Sequence, residues 1–261
     1  MAAESYVGVR VQGGLLPAEL LSRIAAGTLA GQASADYHLA AGETVREAAN
    51  RAWAYLTGVW AAYRQAAGKL PEGDRGTTLT RERWLLILLR ELGYGRVPAT
   101  PAGGLTAGDK QFPVSHLWEQ VPVQLLGHTL DLDRRTPGVA GAATSSPQSM
   151  IQELLNRSDD HLWAILSNGL TLRLLRDSTS LVGSAYVEFD LEAIFDGELF
   201  ADFLLLYSIC HESRLEVRDP EKGPASCWLE TWRTESVESG SRALNQLRDG
   251  VVDAITTLGT G

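Results

Sequence analysis

Asp131-Leu132-Asp133-Arg134-Arg135 places two carboxylates and two guanidinium groups within five residues. Two carboxylates spaced two apart project to one side of an extended strand. There they can share a divalent cation and activate a water for hydrolysis. Glu119 and Glu153 are further carboxylates for such a set. Arg134 and Arg135, with Arg157, offer the planar, permanently charged donors that hold a phosphate backbone. Other chemistries are poorly represented. His38, His116, His128, His161 and His211 make no H-x-x-x-H or H-E-x-x-H pair for zinc. No G-x-S-x-G elbow occurs, and Gly13-Gly14 and Gly103-Gly104 lack the strand–turn–helix setting of a phosphate loop. Cys210 and Cys227 lie outside any C-x-x-C pattern and read as free thiols.

The elements that must position these groups follow from periodicity and caps. Pro17 to Ile24 reads as a brief helix. Thr44 caps a long one to about Ala66, whose apolar stripe carries Trp53, Leu56, Trp60 and Tyr63. Thr80 reads as the N-cap of a helix over Arg83 to Leu92, apolar nearly all round. Residues 96–110, rich in Pro, Gly, Ala and Thr, read as a linker. Val114 to Trp118 and Val121 to Leu126 are expected strands, and Thr129 to Leu132 an expected partner for the second. Ser146-Pro147 starts a helix through Asn156. Two apolar runs around Asn168-Gly169, spanning Leu162 to Arg176, predict a hairpin closed by a type I′ turn. Arg173 and Arg176 on its second strand face opposite sides. A third strand over Ala185 to Asp190, an apolar helix over Glu198 to His211 and a final helix capped by Ser239 complete the order.

This succession predicts an α+β (α/β) fold. Residues 1–95 form a helical subdomain and 96–261 a mixed-sheet subdomain ending in a linker helix, or the two form one integrated domain. The 261 residues suffice for a large core. No apolar run reaches the roughly 18 residues of a membrane span, and no secretory signal is visible at the start, so a cytoplasmic location without membrane association is expected. The net charge of −9 disfavours an autonomous duplex binder, so any DNA affinity must come from a local arginine cluster.

The block Ser146-Pro147, Gln152 to Asp160, Leu162-Trp163, Asn168-Gly169, Leu172 to Asp177, Tyr186 to Leu191 and Phe195-Asp196-Gly197 resembles a known family. It is similar to the N-terminal, nuclease-like region of bacterial adenine-specific DNA methyltransferases of fused restriction-modification systems, including phage-defence loci such as DISARM. The likeness is close over 145–261 and loose over 36–135. It implies a restriction-endonuclease-like sheet over Phe112 to Asp190, with Gln148 and Gln152 on the helix before the hairpin. Active nucleases of that fold hold Mg²⁺ between two carboxylates, with a lysine two residues after the second. Here the expected catalytic strand offers Gln124. No [DE]-x-K triplet exists, because Lys69, Lys110 and Lys222 each lack an acid two residues earlier. Arg135 after Asp133 is a poor substitute, since it does not release its proton.

The resemblance therefore implies a module that is catalytically inactive, binds no metal or cofactor itself, and contacts DNA weakly or engages partner subunits. Arg134, Arg135 and Arg157 are its expected DNA contacts. S-adenosylmethionine belongs to a downstream methylase domain, because this chain has neither its Gly-rich turn nor an Asn-Pro-Pro-aromatic motif. Two alternatives remain open at this point: a divergent Mg²⁺-dependent endonuclease using Asp131, Asp133 and Glu153, and a structural protein-interaction domain.

Overall fold

The computed structural model describes residues 6–178 and 185–240. Its strands are β1 (Val9–Gln12), β2 (Leu105–Ala107), β3 (Lys110–Phe112), β4 (His116–Trp118), β5 (Val121–Leu125), β6 (Trp163–Ser167), β7 (Thr171–Arg176) and β8 (Ala185–Asp190). Six of them form one sheet in the order β1-β8-β7-β6-β5-β4, and β2 pairs with β3 apart from it. All neighbours are antiparallel except β5 and β6, which run parallel. A parallel pair needs a crossover, and the helix α4 named below supplies it.

The helices are α1 (Ala18–Ala25), α2 (Val45–Ala67), α3, α4 (Pro147–Arg157), α5 (Leu191–Asp196), α6 (Phe200–Cys210) and α7 (residues 228–240). In α3 a π-helical Arg81–Leu85 joins Thr77–Thr80 to Leu86–Glu91. Two capping signals in the sequence, Thr44 and Ser146-Pro147, are realised. Thr44 and Glu47 make a reciprocal capping box, and Ser146 Oγ accepts from Ser149 N–H ahead of Pro147. No helix among the described residues is long and apolar enough to cross a membrane.

Side chains alternate across the sheet and build two cores. Ile165, Leu172, Leu174, Val187 and Phe189 pack with Leu56, Trp60, Trp84, Leu88, Phe203 and Trp232 on one face. Ala164, Leu166 and Leu175 pack with Ile151 and Leu154 of α4 and with Leu126, Leu130 and Leu132 on the other. With both faces covered, β6 is buried along its whole length. The tryptophan stripe of α2 is core: Trp53 and Trp60 both stack on Phe195, and Trp60 meets Trp84. Residues of the expected helical subdomain and of the sheet thus share the first core.

Several local expectations require correction. β1 was not anticipated and adds an edge strand to β8. The stretch 96–110 contains β2 and the first residue of β3 rather than linker alone. Helix α3 begins at Thr77, and Thr80 lies inside it, buried, with its hydroxyl 3.1 Å from the Tyr63 hydroxyl. Thr129 to Leu132 is not a strand: Leu130 N–H closes a turn on Gly127 O, and the Leu130 and Leu132 carbonyls are taken by Asn168 and by Gln148 N–H rather than by β5. Residues 228–240 are helical, so Ser239 lies within a helix rather than at its start. The expected final helix beyond it falls outside the described residues.

The hairpin is present, but its turn differs from type I′. Ser167 pairs with Leu172, and only Gly169 has a positive φ, at 87°. Gly169-Leu170 is therefore the central pair, without the two successive positive φ angles of type I′. The Asn168 carboxamide oxygen accepts from the N–H groups of Leu170 and Thr171 (3.0 and 2.9 Å). On the far side, Trp84 Nε1 donates to Gly169 O (2.8 Å), and a Cβ at Gly169 would lie 2.5 Å from Thr80 Cγ2. Gly169→Ala is accordingly expected to cost about 1–3 kcal/mol from backbone strain alone. It should lower the urea midpoint at unchanged slope. An unchanged midpoint would contradict this packing.

Candidate functional site

The segment after β5 carries the acidic and basic residues singled out above, and its path is fixed at several points. Leu126 N–H still pairs with Ser167 O (2.8 Å). Gly127 then passes so close to the chain before α3 that a Cβ there would lie 1.9 Å from Arg75 O. A turn follows, closed by Leu130 N–H on Gly127 O (3.0 Å). Asn168 Nδ2 donates to Leu130 O (2.8 Å), and Gln148 N–H at the start of α4 donates to Leu132 O (2.9 Å). Thr136 N–H donates to Ala142 O (2.8 Å), closing the loop on itself. Buried Gln124 accepts from Ser115 N–H (2.7 Å), and its Nε2 lies 2.1 Å from where a Cβ on Gly141 would sit. The loop over 127–142 is thus strapped to the sheet's end at both of its shoulders.

Arg173 is the centre of the arrangement. It sits on the α4 side of β7, almost fully buried, and its guanidinium grips the Asp133 carboxylate with two bonds of 2.7 Å. Its Nε donates to Glu188 (2.7 Å), the residue directly opposite on β8, and Nη1 donates to Gln148 Oε1 (3.1 Å). The guanidinium also lies 4.6 Å from the centre of the Tyr186 ring. Burial opposes the charge, but Asp133 and Glu188 outweigh it and keep the guanidinium protonated above the ordinary arginine range. In return, the Arg173 hydrogen bonds hold the Asp133 carboxyl below its usual range. Arg176, three positions on, faces the other core and pairs with Glu230 of α7 (2.8 Å), so the two arginines point to opposite sides as expected.

These contacts separate the carboxylates considered for metal-assisted hydrolysis. Asp131 and Asp133 lie on a turn, where Asp131 accepts from the Asp133 N–H (2.8 Å), and so are not aligned on one side of a strand. Glu153 is on the outer side of α4, bonded to Lys110 (2.6 Å) and Arg157 (2.9 Å). Glu119 is at the turn between β4 and β5. Among the described residues, no set of three ligand atoms combines these four. The arginines are divided as well. Arg134 is highly exposed and 3.4 Å from Asp131, and Arg135 is exposed beside it. Arg157 lies at the end of α4 with Glu153 and Asp109 (3.6 Å).

Between the loop and the hairpin turn lies an open polar cleft of about 340 Å³, lined by His128, Asp131, Asp133, Asn168, Thr171 and Arg173. His128, which belongs to no histidine motif in the sequence, borders this cleft. Burial first, then Arg64, lowers its pKa, which favours a neutral ring there. Its Nδ1 is buried without a hydrogen-bond partner among the described residues. The arrangement can hold a loop rigid and present charge from its rim. No family model, no curated protein and no solved structure matches the chain.

Removing Arg173 leaves the mostly buried Glu188 carboxylate without its closest cation. Arg173→Met should therefore destabilise the fold by about 3–5 kcal/mol. Asp133→Asn should cost less, because more than half of that side chain is exposed (59%). Asp133 has a depressed folded pKa, so its contribution is present above the unfolded value near 3.9 and is lost as pH falls through the lower folded value. Denaturant melts at pH 7 and below pH 4 should show wild type and Asp133→Asn converging in acid. A constant gap across that range would contradict the pairing.

Proposed function

We propose that this chain is a nuclease-like module without nuclease chemistry, acting in the cytoplasm as the front part of an adenine-specific DNA methyltransferase of a restriction-modification or phage-defence system. Its role in this reading is to contact DNA or partner subunits and so position a downstream methylase, where S-adenosylmethionine would bind. The observation that carries the reading is the bidentate Arg173–Asp133 pair. It engages the strongest candidate for a metal-binding carboxylate and makes it the anchor of a loop whose outer side bears Arg134 and Arg135. Support also comes from the parallel β5–α4–β6 unit followed by the Asn-Gly hairpin, the element order on which the family resemblance rests. The neutral Gln124 on β5, sealed by Ser115 N–H, points the same way.

The charge of −9 limits what such a loop can achieve. Repulsion from a duplex is screened beyond about 8 Å at physiological salt, so two exposed arginines act locally. The expected affinity for duplex DNA is on the order of 10⁻⁵ M or poorer, with little sequence preference. Fluorescence anisotropy with a labelled duplex at two salt concentrations tests this. Arg134→Ala/Arg135→Ala should weaken binding and reduce the salt slope by about 1 for each phosphate contact removed. Absence of binding at low salt would favour a protein-interaction role. Mg²⁺- or Mn²⁺-dependent cleavage lost in Asp133→Ala would favour the endonuclease reading over the one proposed.

A further inference from the structure

His38, Glu212 and Glu216 converge on one point of the surface, far from the loop and separated by more than 170 residues in sequence. His38 closes the 3-10 turn Ser34–Tyr37, with its N–H on Ala35 O (3.1 Å) and a left-handed φ of 54°. Glu212 begins the 3-10 turn Glu212–Arg214 that follows α6, and its N–H donates to Leu92 O (2.9 Å). Glu216 N–H donates to Glu212 O (3.0 Å), so the two carboxylates, four residues apart in a helical turn, share one side. His38 Nε2 lies 2.7 Å from a Glu216 oxygen and 3.6 Å from a Glu212 oxygen. One donor atom from each residue lies within 4.8 Å of the other two.

The charge around this point is out of balance. Glu119 is a third carboxylate close enough to act on Glu212, whose cationic neighbours are His38 and Arg214. Arg214 is turned inward. Its guanidinium donates to the carbonyls of Gly31 and Asp36 and lies 3.8 Å from the centre of the Tyr37 ring.

A second imidazole borders the same place. His211 is 4% exposed, and its Nδ1 accepts from Ser213 N–H (3.3 Å), so the neutral ring carries its proton on Nε2. A Cβ built on Gly93 would lie 3.0 Å from His211 Nε2 and 2.6 Å from Glu212 Cγ, so the ring edge and the glutamate stem front the same space.

We propose that His38, Glu212 and Glu216 bind a divalent transition-metal ion, Zn²⁺ foremost, through His38 Nε2 and one oxygen from each carboxylate, with water completing the coordination. An imidazole and two carboxylates suit Zn²⁺. Mg²⁺ prefers an octahedron of oxygens and retains its own water. The ion would staple the 34–38 turn to the end of α6, and this proposal is independent of the DNA-binding reading.

Equilibrium dialysis, thermal melts and Co²⁺ absorption on the full chain test it. We expect one Zn²⁺ per chain, a rise in melting temperature with added ZnCl₂, and a visible absorption band with CoCl₂ that Zn²⁺ abolishes. Equal MgCl₂ should leave the melt unchanged. His38→Asn keeps a side chain that tolerates positive φ, and Glu216→Gln changes an exposed position. Each should weaken Zn²⁺ binding on the order of 10-fold or more while leaving the circular dichroism spectrum intact. No saturable Zn²⁺ binding would overturn the proposal and leave an ordinary His–Glu ion pair. Undiminished binding in both variants, or a melt that responds to Mg²⁺ and not Zn²⁺, would overturn it equally.

Discussion

The turn at Asn168-Gly169-Leu170 ties the two faces of the sheet together. On one side its backbone is pressed against α2 and α3, where Trp84 donates to Gly169 O and no side chain fits at position 169. On the other, the Asn168 carboxamide closes the turn with its oxygen and holds Leu130 O with its nitrogen. Glu192 N–H of α5 donates to Leu170 O (3.2 Å). One tight turn therefore sets the register of β6 against β7 and the docking of the helical layer. It also sets the height at which the 127–142 loop leaves the sheet.

On β7, the second strand of this hairpin, Arg173 lies opposite Glu188 of β8 and grips Asp133. A guanidinium this deeply buried needs more than one partner, since the desolvation of a charge is regained only when its donors are well matched. Five N–H donors in a rigid fork allow it to serve two carboxylates and Gln148 at once, which a lysine ammonium would not do with the same geometry. The chemical consequence follows directly. A carboxylate that accepts two bonds from arginine is poorly available to a metal ion, and the cleft beside it becomes a scaffold for the loop's rim.

Local signals were legible where a few adjacent residues decide the outcome. The Thr44–Glu47 box, Ser146-Pro147 and the Asn-Gly dipeptide each marked an element that the structure contains. The type of hairpin turn was not legible, because a carboxamide oxygen took the place of backbone pairing at Asn168. Asp131-Leu132-Asp133 alternates like a strand. The same pattern serves a turn when alternate leucines, Leu130 and Leu132, drop into a core beneath it. Val9-Arg10-Val11-Gln12 alternates correctly for β1 but is too short to stand out. The pairs that define the site were out of reach. Arg173 meets Asp133 across 40 residues, and His38 meets Glu216 across 178, distances over which no spacing rule operates.

The central claim is that the strapped loop is the surface this domain offers to DNA. Hydrogen–deuterium exchange with and without a short duplex at low salt measures this directly. The account predicts slow exchange already in the free protein at the Leu130, Thr136 and Ala142 amides, all of which are bonded. It also predicts added protection on binding that is confined to peptides spanning 128–142. Protection elsewhere on the domain with none in that loop would contradict it.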